Sequence, residues 1–177
     1  MTESLPNSDL LNTICISIQK EKGAKRQVDV QMMIPHPIEQ VWQLITDYDK
    51  LAELIPNLAY CRQVRQSATS KQLEMIGTCR ILNFGFSIRL VLAAIESAPY
   101  QIETQLIEGD LRSYRGVWDL EPQPDGSTVL SYSAELVPKP GIPVALLERQ
   151  IQVLLPTNFL AIRQHLDRVN HLSLNVA

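Results

Sequence analysis

Apolar and polar residues alternate along most of this chain with one of two periods, and each change of period marks an element. Ile14, Ile16 and Ile18 alternate with Cys15 and Ser17, and Val28, Val30, Met32 and Ile34 alternate with Asp29 and Gln31. A repeat of two sends successive side chains to opposite faces, so both segments predict half-buried strands, the second either separate or a continuation of the first. Pro35 and Pro37 end the run, because proline donates nothing to a β ladder. Ile38, Val41, Trp42 and Ile45 then recur at helical spacing, and Pro37 suits the first turn of that helix. Leu51, Leu54 and Ile55 predict a second short helix, ended by Pro56.

From Asn57 to Val137 the period is again two. Leu58 to Gln66 is one strand. Leu73, Met75, Gly77, Cys79 and Ile81 share a face of the next, and Phe84, Phe86, Ile88, Leu90, Leu92 and Ala94 a face of a long third. Tyr100, Ile102, Thr104 and Leu106 follow, then Tyr114, Gly116, Trp118 and Leu120, then Leu130, Tyr132, Ala134 and Leu136. Polar turns at Ser67 to Ser70, Asn83 with Gly85, Glu108-Gly109-Asp110 and Pro124-Asp125-Gly126 separate them. Short connections between strands with one polar face predict an antiparallel meander.

The last element is the longest. Val144, Leu147, Ile151, Leu154, Leu155, Phe159, Ile162, Leu166 and Val169 form one stripe, predicting an amphipathic helix over Gly141 to Val169. Pro156 lies inside it, where proline costs ~3 kcal/mol or more. It reads as a bend, with Asn158 satisfying a freed carbonyl; the sharper alternative is a hinge that admits a ligand. The fold class is α+β: a curved antiparallel sheet of about six or seven strands wrapped around this helix, with two short helices after the first strand. Residues 1–9 read as a disordered lead-in, 10–170 as one domain and 171–177 as a tail.

Composition narrows the function. Hydrophobic residues make up 45% and charged residues 20%, enough for a real core, and the net charge of −3 without a basic run argues against a nucleic-acid partner. Cys15, Cys61 and Cys79 are odd in number and form no C-x-x-C pair, which predicts no disulfide framework or zinc site, three partly buried thiols and a reducing compartment. The N-terminus lacks the pattern of a signal peptide, and no apolar run reaches the ~20 residues that span a bilayer, so a soluble, cytoplasmic protein is expected.

Chemistry has little to stand on. His36, between two prolines, reads as a surface turn residue, and His165 and His171 sit near the end of the last helix. No metal pattern, nucleophile elbow, phosphate loop or dinucleotide fingerprint is present, so no catalytic residue, metal or cofactor is expected. Glu103 has outward parity; Glu108 has inward parity but stands at a turn, where solvation is the default. The aromatics Phe84, Phe86, Tyr100, Tyr114, Trp118, Tyr132 and Phe159 fall on inward positions. A twisted sheet around one helix encloses either a filled core or a ligand cavity, and period two fits both. The candidate ligand wall is Met75, Phe86, Leu90, Tyr100, Arg112, Tyr114, Trp118, Tyr132, Ile151, Leu155 and Phe159. Arg112 shares the parity of Tyr114, which would let the pair recognise a carbonyl or carboxylate; the plainer reading is a rim arginine covering apolar surface.

The order of these elements and several local patterns resemble the START-like (SRPBCC, helix-grip) superfamily, in its coenzyme Q-binding and polyketide cyclase branch. The resemblance rests on Ile34-Pro35-x-Pro37-x-x-x-Val41-Trp42, Thr46-Asp47-Tyr48 and Ile55-Pro56-Asn57. Gly116-x-Trp118-x-Leu120-x-Pro122, Gly126-x-Thr128-x-Leu130-x-Tyr132, Ile142-Pro143 and Leu155-Pro156-x-Asn158 complete it. It spans roughly Val28 to Val169. The resemblance implies a sheet gripping the helix around an apolar tunnel for a lipid, an isoprenoid quinone or a polyketide-like molecule, with transient membrane contact during exchange. It carries no universal catalytic residue. The leading expectation is a carrier of a hydrophobic small molecule; the alternatives are a polyketide cyclase or aromatase, or a protein-interaction module.

Overall fold

The computed structural model describes the backbone of residues 14–81 and 84–174; the side chains of residues 79–81, 84, 86 and 171–174 are not among those described. The period-two segments become β1 (Ile14–Lys20), β2 (Arg26–Ile34), β3 (Leu58–Gln66), β4 (Lys71–Ile81), β5 (Phe84–Ser97), β6 (Gln101–Gly109), β7 (Leu111–Pro122) and β8 (Thr128–Pro138). The helical segments become α1 (Ile38–Thr46), α2 (Leu51–Leu54) and α3 (Val144–Leu174). All eight strands join one curved antiparallel sheet in the order β1-β2-β8-β7-β6-β5-β4-β3. The meander therefore runs from β3 to β8, and β1 and β2 add to its far edge. Because β2 lies beside β8 and β3 forms the opposite edge, α1 and α2 carry the chain across the sheet.

The strand count exceeds the expectation because β1 and β2 are separate. They pair from Ile14↔Met32 to Lys20↔Arg26, and Gly23, at φ 64°, makes the turn between them. Helix α3 begins and ends later than the expected span of Gly141 to Val169. Gly141 takes φ 100°, a left-handed conformation that turns the chain out of β8, and the helix then continues to Leu174, into the segment expected to be a tail. The expected lead-in over residues 1–9 and the turn residue Asn83 lie outside the described residues.

The core is densest where β2 and β8 face α3. Val28, Val30, Met32 and Ile34 are buried from one strand and Leu130, Tyr132, Ala134 and Leu136 from the other, against Leu147, Phe159, Ile162 and Leu166 of the helix. Burying apolar surface at ~25 cal/mol per Å² is what holds a helix with so few neighbours onto a sheet.

Polar contacts fasten α3 to the start of β2 and to the turn just past its end. At the first end Arg26 Nε donates to Glu148 Oε1, while its Nη1 donates to the carbonyls of Gly23 at 3.0 Å and Lys25 at 2.8 Å. The Arg26 guanidinium holds the Glu148 carboxyl below the usual carboxylate range. At the other end His36 Nε2 meets Asp167 Oδ1 at 2.7 Å, and Asn170 Nδ2 donates to His36 Nδ1 at 2.8 Å. An amide donor on Nδ1 leaves the ring proton on Nε2, facing the carboxylate. His36 is only 5% exposed, so it is a buried clamp rather than the surface turn residue its flanking prolines predict. The cysteines divide as well. Cys15 is exposed on the edge strand β1, against expectation, whereas burial pushes the Cys61 thiol up to about 12.

Candidate functional site: an apolar cavity beneath the long helix

The helix does not fill the concave face. Between α3, the α1–α2 corner and the strands β3 to β8 lies a cavity of about 350 Å³. That is within the roughly 300–1,000 Å³ common for small-molecule sites. Ile45, Tyr48, Leu51 and Ile55 close one side, Leu73, Ile88 and Leu92 contribute from β4 and β5, and Leu147, Leu154 and Ile162 from α3.

Seven residues of the expected wall line this cavity: Met75, Leu90, Tyr114, Trp118, Tyr132, Ile151 and Leu155. The strand members are inward positions of β4, β5 and β8, and of β7 beyond its irregular start, where counting by two holds. Phe159 is not on the wall. It is fully buried behind Trp118, its ring stacked at 5.5 Å, and Trp118 in turn lies 4.6 Å from the Tyr132 ring. The Phe86 side chain lies outside the described residues.

Two expectations are corrected. Tyr100 is 57% exposed, because it belongs to the turn before β6 rather than to the strand: its N–H bonds Ser97 O at 2.8 Å. Arg112 is exposed and does not line the cavity. The β7–β8 pairing shifts register between Leu111 and Ser113, so Leu111 and Tyr114 both turn inward and the two residues between them turn out. A bulge of this kind breaks parity without any mark in composition. Arg112 therefore does not face the cavity beside Tyr114.

Of the polar groups on the wall, Tyr114 and Tyr132 belong to the expected set, whereas Thr104, Tyr48 and Asn158 do not. Thr104 Oγ1 lies 3.1 Å from Gly116 O and 3.3 Å from Tyr114 Oη, which lies 2.9 Å from Tyr132 Oη. Gly116 makes this cluster possible: a Cβ there would stand 2.8 Å from Thr104 Oγ1 and closer still to the Tyr114 hydroxyl. Its place within a strand is the signal, since a strand glycine marks close approach. Tyr48 donates to Glu96 Oε1 at 2.7 Å, and Glu96 also pairs with Lys71 at 2.8 Å. Asn158 lines the cavity with Oδ1 buried and, among the described residues, without a donor; Thr157, not Asn158, bonds a helix carbonyl, that of Val153 at 2.9 Å. Burial pushes the Tyr114 and Tyr132 phenols up, and burial followed by the Glu96 hydrogen bond does the same to Tyr48. All three stay protonated at neutral pH. Among the described residues the wall carries no carboxylate, imidazole, thiol or basic side chain.

A sheet of this curvature closed by one long helix over an apolar cavity defines the START-like, helix-grip class. Residues 34–163 match the family described as polyketide cyclase / dehydrase and lipid transport, and the chain belongs to that family. Its fold is similar to that of a START superfamily protein from Mycobacterium smegmatis, with a TM-score of 0.68 and 17% identity over 81% of this chain and 98% of that one. It is similar to a STAR-related lipid transfer protein from Xanthomonas axonopodis, with a TM-score of 0.69 and 16% identity over 88% and 94%. The Zhui aromatase/cyclase from Streptomyces sp. R1128 gives 0.67 and 12% over 81% and 94%. At such identities the likeness is one of fold. No curated protein matches by sequence. Among the described residues, no helix is long and apolar enough to cross a membrane.

Proposed function

We propose that this protein binds and carries a hydrophobic small molecule in the cavity beneath α3, without transforming it. The wall would be Met75, Leu90, Tyr114, Trp118, Tyr132, Ile151 and Leu155, with Phe159 backing Trp118. The observation that carries this reading is an almost wholly apolar wall around a volume of about 350 Å³. Each buried CH₂ of a ligand contributes ~0.8 kcal/mol, so a chain of modest length outweighs the cost of association without any charged contact. The lipid-transport part of the family description is in keeping with this.

Chemistry of the cyclase or dehydratase kind moves protons on and off carbon or oxygen, which calls for a group that titrates near neutral pH. The described wall offers three phenols held protonated by burial, and none is a base at pH 7. Carriage is therefore the better supported use of this site. Solvent extraction of freshly purified protein, read by mass spectrometry, should release a stoichiometric lipophilic compound. A lipophilic dye should also bind and be displaced by that extract. An empty extract together with no dye binding would sink the proposal.

A further inference from the structure

The hydroxyl cluster on the cavity wall has a direction. The three contacts Tyr132–Tyr114, Tyr114–Thr104 and Thr104–Gly116 O join four oxygens at 2.9, 3.3 and 3.1 Å. Each distance is within hydrogen-bonding reach, and the cluster holds three hydroxyl hydrogens for three contacts. The last oxygen, a backbone carbonyl, has none to give. The one arrangement that fills all three contacts has Thr104 donating to Gly116 O, Tyr114 to Thr104, and Tyr132 to Tyr114. Every hydroxyl hydrogen is spent inside the protein, and Tyr132 Oη is left with lone pairs and, among the described residues, no donor. Tyr48, the third phenol on the wall, likewise gives its hydrogen to Glu96. Asn158 Oδ1, on the helix side of the same cavity, is a further buried acceptor without a donor among the described residues.

We infer that the cavity selects hydrophobic molecules that carry a hydroxyl, an alcohol or a phenol, whose O–H donates to Tyr132 Oη or Asn158 Oδ1, over molecules of the same skeleton that end in a carbonyl. This deepens the proposed function and rests on it. A carbonyl oxygen placed against Tyr132 Oη would set lone pair against lone pair, and both groups would lose their water without compensation. A hydroxyl satisfies the acceptor and buries the same apolar chain. The selectivity belongs to the direction of the cluster and not to the mere presence of polar groups, so it is reversible: removing the Tyr114 hydroxyl frees the Tyr132 hydrogen to point into the cavity.

The test uses 2-decanol, 2-decanone and decane as displacers of the neutral dye 1-aminoanthracene from the full chain. The alcohol should bind ~10-fold more tightly than the ketone, the ratio expected when one acceptor is satisfied in one case and left opposed in the other. In Tyr132→Phe the alcohol should lose most of that advantage while decane binds as before. In Tyr114→Phe the ketone should gain relative to the alcohol, an outcome that a purely structural role for Tyr114 does not produce. If the native protein binds the ketone as tightly as the alcohol, or more tightly, the inference falls while the carrier reading stands. If none of the three displaces the dye and the extract is empty, both fall together.

Discussion

The concave face of the sheet has two halves built from similar side chains and put to different uses. On the β2 and β8 half, Val28, Val30, Met32, Ile34, Leu130, Tyr132, Ala134 and Leu136 are all buried. On the β4 and β5 half, Met75, Ile88 and Leu90 are half-buried and face the cavity. Both halves are aliphatic strands with period two, so composition does not separate them. What separates them is the helix. Fastened near the two ends of β2, α3 lays Phe159 and Leu166 onto the near half, and the far half is left without a partner of equal depth. A cavity here is a consequence of where a helix is tied.

That contrast is open to direct attack. The largest effect is expected from Phe159→Ala, which empties a fully buried site and should cost about 3–5 kcal/mol in urea denaturation. Met75→Ala should cost ~1 kcal/mol, because it enlarges a space that already exists. Equal costs would mean that the two halves are packed alike. Adding volume should discriminate next. Val30→Phe overpacks the filled half and is expected to lose about 1–3 kcal/mol. Leu90→Phe should leave the unfolding midpoint nearly unchanged while weakening dye binding several-fold; a large loss of stability in Leu90→Phe would show that the cavity half has no room.

Gly116→Ala should follow, with a loss of about 1 kcal/mol, because the new methyl displaces the Tyr114 ring toward the cavity. Retained dye affinity and an unchanged near-ultraviolet spectrum would count against that displacement. The smallest effect concerns pH and the filled half only. Arg26 holds the Glu148 carboxyl below its unfolded value, so the contribution is fully present above ~pH 4.3 and is lost as pH falls through the folded value. Urea midpoints taken from neutral to acid pH should therefore fall less steeply in Arg26→Met than in the native chain. Parallel curves would mean that the contact contributes nothing.

Much of this architecture was legible because parity survives along unbroken strands. Leu73 to Ile81, Ile88 to Ala94 and Leu130 to Leu136 are strands where the alternation places them. The failures share a physical cause. Arg112 lies at a register shift and Tyr100 in a turn, and a residue count crosses either without noticing it. Long-range polar pairing is invisible to any local pattern. Nothing near His36 announces Asp167, and flanking prolines suggest a surface turn instead. Asn158 reads as help for the helix broken by Pro156, yet it faces the cavity. The hydroxyl cluster is intermediate: Thr104, Tyr114 and Tyr132 all have inward parity, but their mutual contact depends on β6, β7 and β8 being neighbours and on Gly116 lacking a side chain.

The two fastenings of α3 carry a metrical consequence. Arg26 opens β2 and His36 lies just past its end at Ile34, a strand ~26 Å long at about 3.3 Å per residue. Their partners Glu148 and Asp167 are ~29 Å apart along the helix at about 1.5 Å per residue, and side-chain reach covers the difference. The strand thus serves as a gauge against which the helix is cut to length. One residue added between Glu148 and Asp167 would rotate the far carboxylate ~100° away from His36, whatever the residue was. Within that interval side chains can be exchanged to suit a different cargo, but their number cannot change without undoing one end.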